Sequence, residues 1–181
     1  MLNFQKSTFI CLDLPEKMAE KIRQIRLKLD YQIAWKPVVI TLAGSSGVGH
    51  ISDEQDIFEA NKILTDFTKK IPPIKLKFSD INSFPETDIY FFEFVDESEL
   101  NKLHIIVKNC GINFFKNEYP FKAHCTIHFK GKMDKLKKEQ ILNIEIPKEE
   151  FEINSLSLIS DYNHLSRFQF KGNQLHQLTG A

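Results

Sequence analysis

His124 and Thr126 stand two residues apart in the run Pro120-Phe121-Lys122-Ala123-His124-Cys125-Thr126-Ile127, which is β-branched and flanked by aromatics. Side chains alternate faces along a strand, so a strand here points both the same way. An imidazole and a hydroxyl side by side can hold a phosphate oxygen and move a proton to or from it. A second strand-like run, Pro37-Val38-Val39-Ile40-Thr41-Leu42, nearly repeats the pattern: Thr41 matches Thr126, but the residue two before it is Val39, not histidine.

These two runs resemble the two signature motifs of the two-histidine (2H) phosphoesterases, the superfamily of 2′,5′ RNA ligases and cyclic phosphodiesterases, with the first motif histidine replaced by Val39. The likeness extends along nearly the whole chain. Phe9-Ile10-Cys11-Leu12-Asp13-Leu14-Pro15-Glu16 and the charged amphipathic stretch after it look like the family's first strand and helix, and Trp35 precedes motif one as an aromatic often does there. Ile74 to Phe78, Phe84-Pro85 and Ile89 to Phe94 are similar to its paired middle strands. Leu156 to Ser160, with Tyr162, Leu165, Phe168 and Phe170, resembles its closing strands.

The resemblance implies cleavage or formation of a 2′-linked or 2′,3′-cyclic phosphodiester in RNA or a small nucleotide, without cofactor or metal. His124 would be the acid–base residue, and Thr126 and Thr41 would bind the phosphate. Opening such a diester needs one proton removed and another supplied. Imidazole titrates near pH 6.5, so two copies can serve as base and acid at neutral pH. Threonine hydroxyls then stabilise the charge gathering on the non-bridging oxygens. With Val39 one proton carrier is missing, at a typical cost of ~10²–10⁴ in rate. Phosphate binding can outlast that loss, so a non-catalytic nucleotide- or RNA-binding member of the fold is the alternative. A protein-interaction scaffold in which His124 is incidental is a third.

The elements that must position these residues follow from periodicity. Residues 7–14 predict a strand, and 15–30 a helix with Met18, Ile22, Ile25 and Leu29 at helical spacing. A strand over 37–43 runs into the loop Gly44-Ser45-Ser46-Gly47-Val48-Gly49. A helix from about Ser52, with Ser52 and Gln55 as a capping box, reaches about Lys70 and stops at Pro72-Pro73. Strands over 74–81 and 87–95, a helix from Ser98 to Cys110 ended by Gly111, the motif-two strand 121–129, a turn or short helix in the lysine patch Lys132 to Lys138, and strands over 151–160 and 165–171 complete the order. The mixture predicts an α/β (α+β) fold, two-lobed, with antiparallel sheets flanked by helices around a central groove. Residues 1–181 are expected to form a single two-lobed domain.

Composition narrows the partners. Lysine plus arginine equals aspartate plus glutamate at 24 each, so global charge does not advertise a nucleic-acid binder and phosphate recognition must be local. Cys11, Cys110 and Cys125 form neither C-x-x-C nor an even framework, which fits a reducing compartment. The N-terminus lacks a signal-peptide pattern and no apolar run approaches the ~18 residues of a membrane helix, so a cytoplasmic monomer is expected, with no membrane partner.

Several motifs compete with this reading. The glycine loop approaches G-x-x-x-x-G-K-[ST], but His50 and Ile51 stand where lysine and hydroxyl are needed, which favours a plain connection. His128 shares the face of His124 but lies ~13 Å further along the strand, too far to flank one phosphorus atom. It is expected on the groove wall. His104 is expected at the surface or its boundary, and His164 and His176 carry no site-marking spacing. Lys132, Lys135, Lys137 and Lys138 read as a solvated face, or as phosphate contacts if the groove binds RNA. Tyr90, Phe91, Phe92 and Phe94 read as core.

Overall fold

The computed structural model describes residues 3–29, 31–129 and 133–172. Its element order is β1 (Thr8–Asp13), α1 (Glu16–Leu29), α2 (Tyr31–Ala34), β2 (Val39–Ala43), α3 (Ile57–Thr68), β3 (Ile74–Leu76), β4 (Phe78–Ser83), β5 (Tyr90–Phe94), α4 (Ser98–Lys108), β6 (Cys125–His128), α5 (Lys135–Leu142), β7 (Phe151–Ile153), β8 (Ser155–Ser160) and β9 (Asn163–Gln169). One antiparallel sheet has the order β2-β1-β8-β9 and a second the order β4-β5-β6, while β3 pairs with β7. Helices α1 and α4 lie against β6 and β2 respectively. The fold is the expected α/β class with antiparallel sheets and flanking helices.

Each motif strand is the edge of its sheet, and an unpaired edge leaves carbonyls and amides without partners. Two buried side chains supply partners. On α1, Met18 and Ile22 face the core, and the next residue in that i, i+4 series is Arg26, only 4% exposed. Its guanidinium donates to the Thr126 carbonyl through Nε (3.1 Å) and Nη2 (2.7 Å), and through Nη1 to the carbonyls of Lys36 (3.0 Å) and Pro37 (3.3 Å). It therefore fastens β6 to the chain just before β2. Burial lowers the Arg26 pKa from its usual value. Ile25 and Leu29, expected in the same buried stripe, are only partly covered.

The second side chain is His104 on α4. Its Nδ1 lies 2.8 Å from the Leu42 carbonyl, and since a carbonyl only accepts, Nδ1 carries the proton. The ring stacks on Phe121 at 4.0 Å and 3°. His104 is thus buried, not at the surface or its boundary: the open edge of β2 needs a donor, and α4 passes where this residue can provide one.

The glycine loop is a zipper, not an anion cradle. The amides of Gly44, Gly47, Val48 and Gly49 bond the carbonyls of Val48, Tyr119, Ser46 and Phe115, and Ser46 Oγ accepts from the Lys122 amide. Gly47 has φ +74, and a Cβ there would lie 2.3 Å from the His104 ring, so the loop needs glycine for both conformation and close approach.

The capping box expected at Ser52 and Gln55 is not formed. Ser52 N–H is bonded to the Asn113 carbonyl, residues 52–55 close a turn through the Gln55 amide and the Ser52 carbonyl, and the Gln55 side chain turns inward to accept from the Asn113 amide. The cap is Asp56, whose carboxylate accepts from the Glu59 amide at 3.0 Å. The strand expected over 74–81 divides between two partners, β3 with β7 and β4 with β5. The motif-two strand is shorter than expected, so His124 immediately precedes β6. Lys132 and His176 lie outside the described residues.

Both clasps can be tested by substitution. Arg26→Met should lower unfolding free energy by about 3 kcal/mol or more, since charge-assisted hydrogen bonds are lost and buried carbonyls are left unpaired; a urea titration checks it. Gly47→Ala should cost roughly 1–3 kcal/mol through strain and displacement of His104, visible as a lower Tm.

Candidate functional site

The clasps define how the motif strands meet. Arg26 joins residue 126 to residues 36 and 37, the His104–Phe121 stack joins residue 121 to residue 42, and main-chain bonds join 119 to 47, 115 to 49 and 113 to 52. Numbers fall on one segment as they rise on the other, so the two run antiparallel. β2 and β6 approach within 8 Å between Cα atoms. Interpolating between the Arg26 and His104 clasps places His124 opposite residues 38–39, about the position Val39 occupies, with Thr41 further along β2.

His124 is almost buried, its ring edge-on to Phe84 at 5.0 Å and tilted against Phe91 at 5.3 Å. Nδ1 lies 2.7 Å from the Lys122 carbonyl and so bears the proton of the neutral ring, which leaves Nε2 as the proton acceptor. Burial lowers the His124 pKa from 6.5, opposed by the bond to the Lys122 carbonyl. The imidazole is therefore neutral at pH 7, with its basic nitrogen unprotonated.

Thr41 pairs across the sheet with Cys11, whose thiol donates to Thr41 Oγ1 at 3.7 Å. Burial pushes the Cys11 thiol up to about 12, so it stays a donor and the threonine keeps its own proton for another acceptor. Cys125 is likewise pushed up to about 11, which removes both thiols as nucleophiles at neutral pH. Thr126 is half-buried, and its carbonyl is held by Arg26. Val39 pairs with Asp13 on β1.

Asp13 is the centre of a cluster that spacing did not reveal. Its Oδ2 accepts from Ser155 Oγ (2.9 Å) and Ser157 Oγ (2.7 Å) and lies 3.2 Å from Arg167 Nε, and its Oδ1 lies 3.1 Å from His164 Nε2. A second uncounted group is Lys36, whose Nζ is 3.9 Å from the ring centroid of Tyr162 and 5.0 Å from that of Phe129. The hint in sequence is alternation: Ser155 and Ser157 are polar residues two apart, alternating with Leu156 and Leu158.

The remaining candidates fall away from the groove. His128 is fully buried rather than on the groove wall, because the C-terminal half of β6 is covered. Tyr90, Phe91, Phe92 and Phe94 are core, as expected. Lys138 pairs with Asp88 and Lys135 with Glu139 on or beside α5, which leaves that helix a partly neutralised outer face. A cavity of about 520 Å³ beside Lys122 is lined by Asp80, Glu93, Asp96 and Glu97, a charge unsuited to phosphate. Among the described residues no group of three or more His, Cys, Asp or Glu could hold a metal ion, and no helix is long and apolar enough to cross a membrane.

Comparison with known structures places this arrangement. Escherichia coli LigT, solved with 3′-AMP, matches at 19% identity and TM-score 0.58 over 91% of this chain and 98% of its own. The protein TT0787 of Thermus thermophilus matches at 15% identity and TM-score 0.59, covering 92% and 98%. A crystal structure described as a phosphoesterase matches at 18% identity and TM-score 0.55, covering 91% and 98%. These similarities show a shared fold. No curated protein sequence matches the chain. The family model of the 2′-5′ RNA ligase superfamily matches residues 14–165, which include both motif strands and β8, and the chain belongs to that superfamily.

Proposed function

We propose that this chain is a single two-lobed phosphoesterase domain that works without cofactor on 2′-linked or 2′,3′-cyclic phosphodiesters of RNA or nucleotides, at a rate reduced by the absence of a histidine at position 39. The observation that carries this reading is the bond from His124 Nδ1 to the Lys122 carbonyl, which leaves Nε2 as the base of the ring. In hydrolysis of a cyclic phosphate, Nε2 removes a proton from water as its oxygen attacks phosphorus. The bond from phosphorus to one ribose oxygen then breaks. Thr41 and Thr126 hydroxyls donate to the non-bridging oxygens as their charge grows.

In a two-histidine site the leaving ribose oxygen receives its proton from the partner imidazole. With Val39 that proton must come from water or return from His124, which slows the step by roughly 10²–10⁴. Val39 also supports a second reading, in which the groove binds a nucleotide or RNA end and does not turn it over. LigT has been solved with 3′-AMP, with ATP and with NADP+, so nucleotide ligands are reasonable first probes for either reading.

The experiment compares wild type, His124→Ala and Val39→His on a 2′,3′-cyclic nucleotide and a 2′,5′-linked oligoadenylate, with binding measured on the same samples. Slow wild-type turnover is expected, reduced at least ~10²-fold in His124→Ala and raised in Val39→His. Binding with no wild-type turnover, and turnover only in Val39→His, would select the binding reading. The pH profile gives a further check. Burial favours the neutral His124 imidazole, so the acid limb of kcat/KM should lie below pH 6.5 and activity should fall as pH drops through it. An acid limb above pH 6.5 would remove His124 as the base.

A further inference from the structure

The sheet face that carries Thr41 also carries a fixed cation. Thr41 on β2 pairs with Cys11 on β1, Cys11 with Ser157 on β8, and Ser157 with Arg167 on β9. These four side chains form one row across the sheet, because directly paired residues share a face. Along β1 and β2 the next row on that face begins with Val39 and Asp13. Asp13 lies beneath: its side chain is 9% exposed, whereas those of His164 and Arg167 are 37% and 54% exposed. What faces outward is a guanidinium and an imidazole, with the carboxylate that orients them underneath.

The anchoring is specific. A carboxylate only accepts, so His164 Nε2 bears the proton that binds Asp13 Oδ1, and Nδ1 is turned away from Asp13. Arg167 pairs through Nε with Asp13 Oδ2 at 3.2 Å and places Nη2 3.3 Å from His164 Nε2; with the Nε2 proton given to Asp13 this is a contact between two donors that share the carboxylate, not a hydrogen bond. Ser155 and Ser157 hydroxyls also donate to Oδ2, which holds the carboxylate in place. An arginine held through Nε has its outer nitrogens pre-aimed, which suits it to a phosphate. Strands are spaced ~4.8 Å apart, so a guanidinium drawn back over β1 and β8 lies one to two strand spacings, ~5–10 Å, from the line of Val39 and Thr41. That is about the span between two phosphates on one ribose.

We propose that Arg167 and His164, oriented by Asp13, form a second phosphate subsite beside the candidate catalytic groove, and that the ligand of this chain carries two phosphate groups, as a nucleoside bisphosphate or an oligonucleotide end does. The inference rests on the phosphoesterase reading for the first phosphate and adds the second. A site of this kind also draws substrate binding away from position 39. Affinity for a two-phosphate ligand then does not depend on a second histidine there.

The test uses calorimetric titration of the full chain with 3′-AMP and with adenosine 3′,5′-bisphosphate. Wild type should bind the bisphosphate at least tenfold more tightly, with a steeper loss of affinity as salt is raised. Arg167→Met should bring the ratio of the two affinities close to one, Arg167→Lys should keep part of it, and unchanged melting curves would show that both variants fold. His124→Ala should weaken both ligands and preserve their ratio. Equal affinity of wild type for the two ligands, or a ratio untouched by Arg167→Met, overturns the subsite even if His124→Ala shows the first phosphate bound. A ratio lost in Arg167→Met with His124→Ala silent upholds the subsite and removes His124 from the first. If neither ligand binds, both assignments fall.

Discussion

The buried guanidinium of Arg26 is the interaction on which the geometry of the groove depends. Two sheet edges must lie side by side for the motif strands to meet, and each brings main-chain carbonyls that water can no longer reach. A buried unpaired carbonyl costs on the order of 1–3 kcal/mol, and a buried unpaired charge costs more. Arg26 resolves both at once, because its planar fork reaches Thr126 on one side and Lys36 and Pro37 on the other. A lysine could not span these acceptors, since its donors radiate from one atom. The spacing and direction of the two motif strands are therefore set from behind, by a residue that does not face the groove.

His104 performs the matching task at the far end, and the division between the histidines follows from what each proton is bonded to. His104 gives its Nδ1 proton to a strand carbonyl while its ring stacks on Phe121, so it acts as a structural donor. His124 gives its Nδ1 proton to the residue two before it, which fixes the ring and leaves the opposite nitrogen unprotonated in the neutral ring. His164 binds a carboxylate instead and sits next to a guanidinium. Three imidazoles of the same intrinsic basicity are assigned different work by a carbonyl, a local turn and an aspartate.

Around Thr41 the polar groups are arranged in layers. Cys11 and Asp13 lie on the strand next to it, buried and fully engaged, and they orient the hydroxyl and the cation that face outward. A thiol kept protonated by burial is a suitable donor for this purpose, since it cannot compete as a nucleophile. Val39 occupies the row of Asp13 and adds no charge to it. The face thus presents hydroxyl and guanidinium.

What was legible from the residues alone was whatever local periodicity encodes. Alternation set His124 with Thr126 and Val39 with Thr41, the apolar spacing of Met18 and Ile22 marked α1, and the dense aromatic run of β5 read as core. The order of such segments was enough to suggest the superfamily. Boundaries slipped where a distant partner decided them: the Gln55 side chain is taken by the Asn113 amide rather than by a cap at Ser52, and the strand expected over 74–81 divides between two different partner strands. Arg26 was hidden for a related reason. One cation in a helical series looks like surface until a second sheet edge is placed against it. The amino-acid sequence by itself determined the types and local spacing of the candidate groups, because those depend on backbone repeat lengths of a few ångströms. Only the tertiary structure decided which nitrogen of His104 and of His124 bears the proton, which carbonyls Arg26 joins, and that Asp13, His164 and Arg167 meet, because hydrogen bonds between residues far apart in the chain have no local signature.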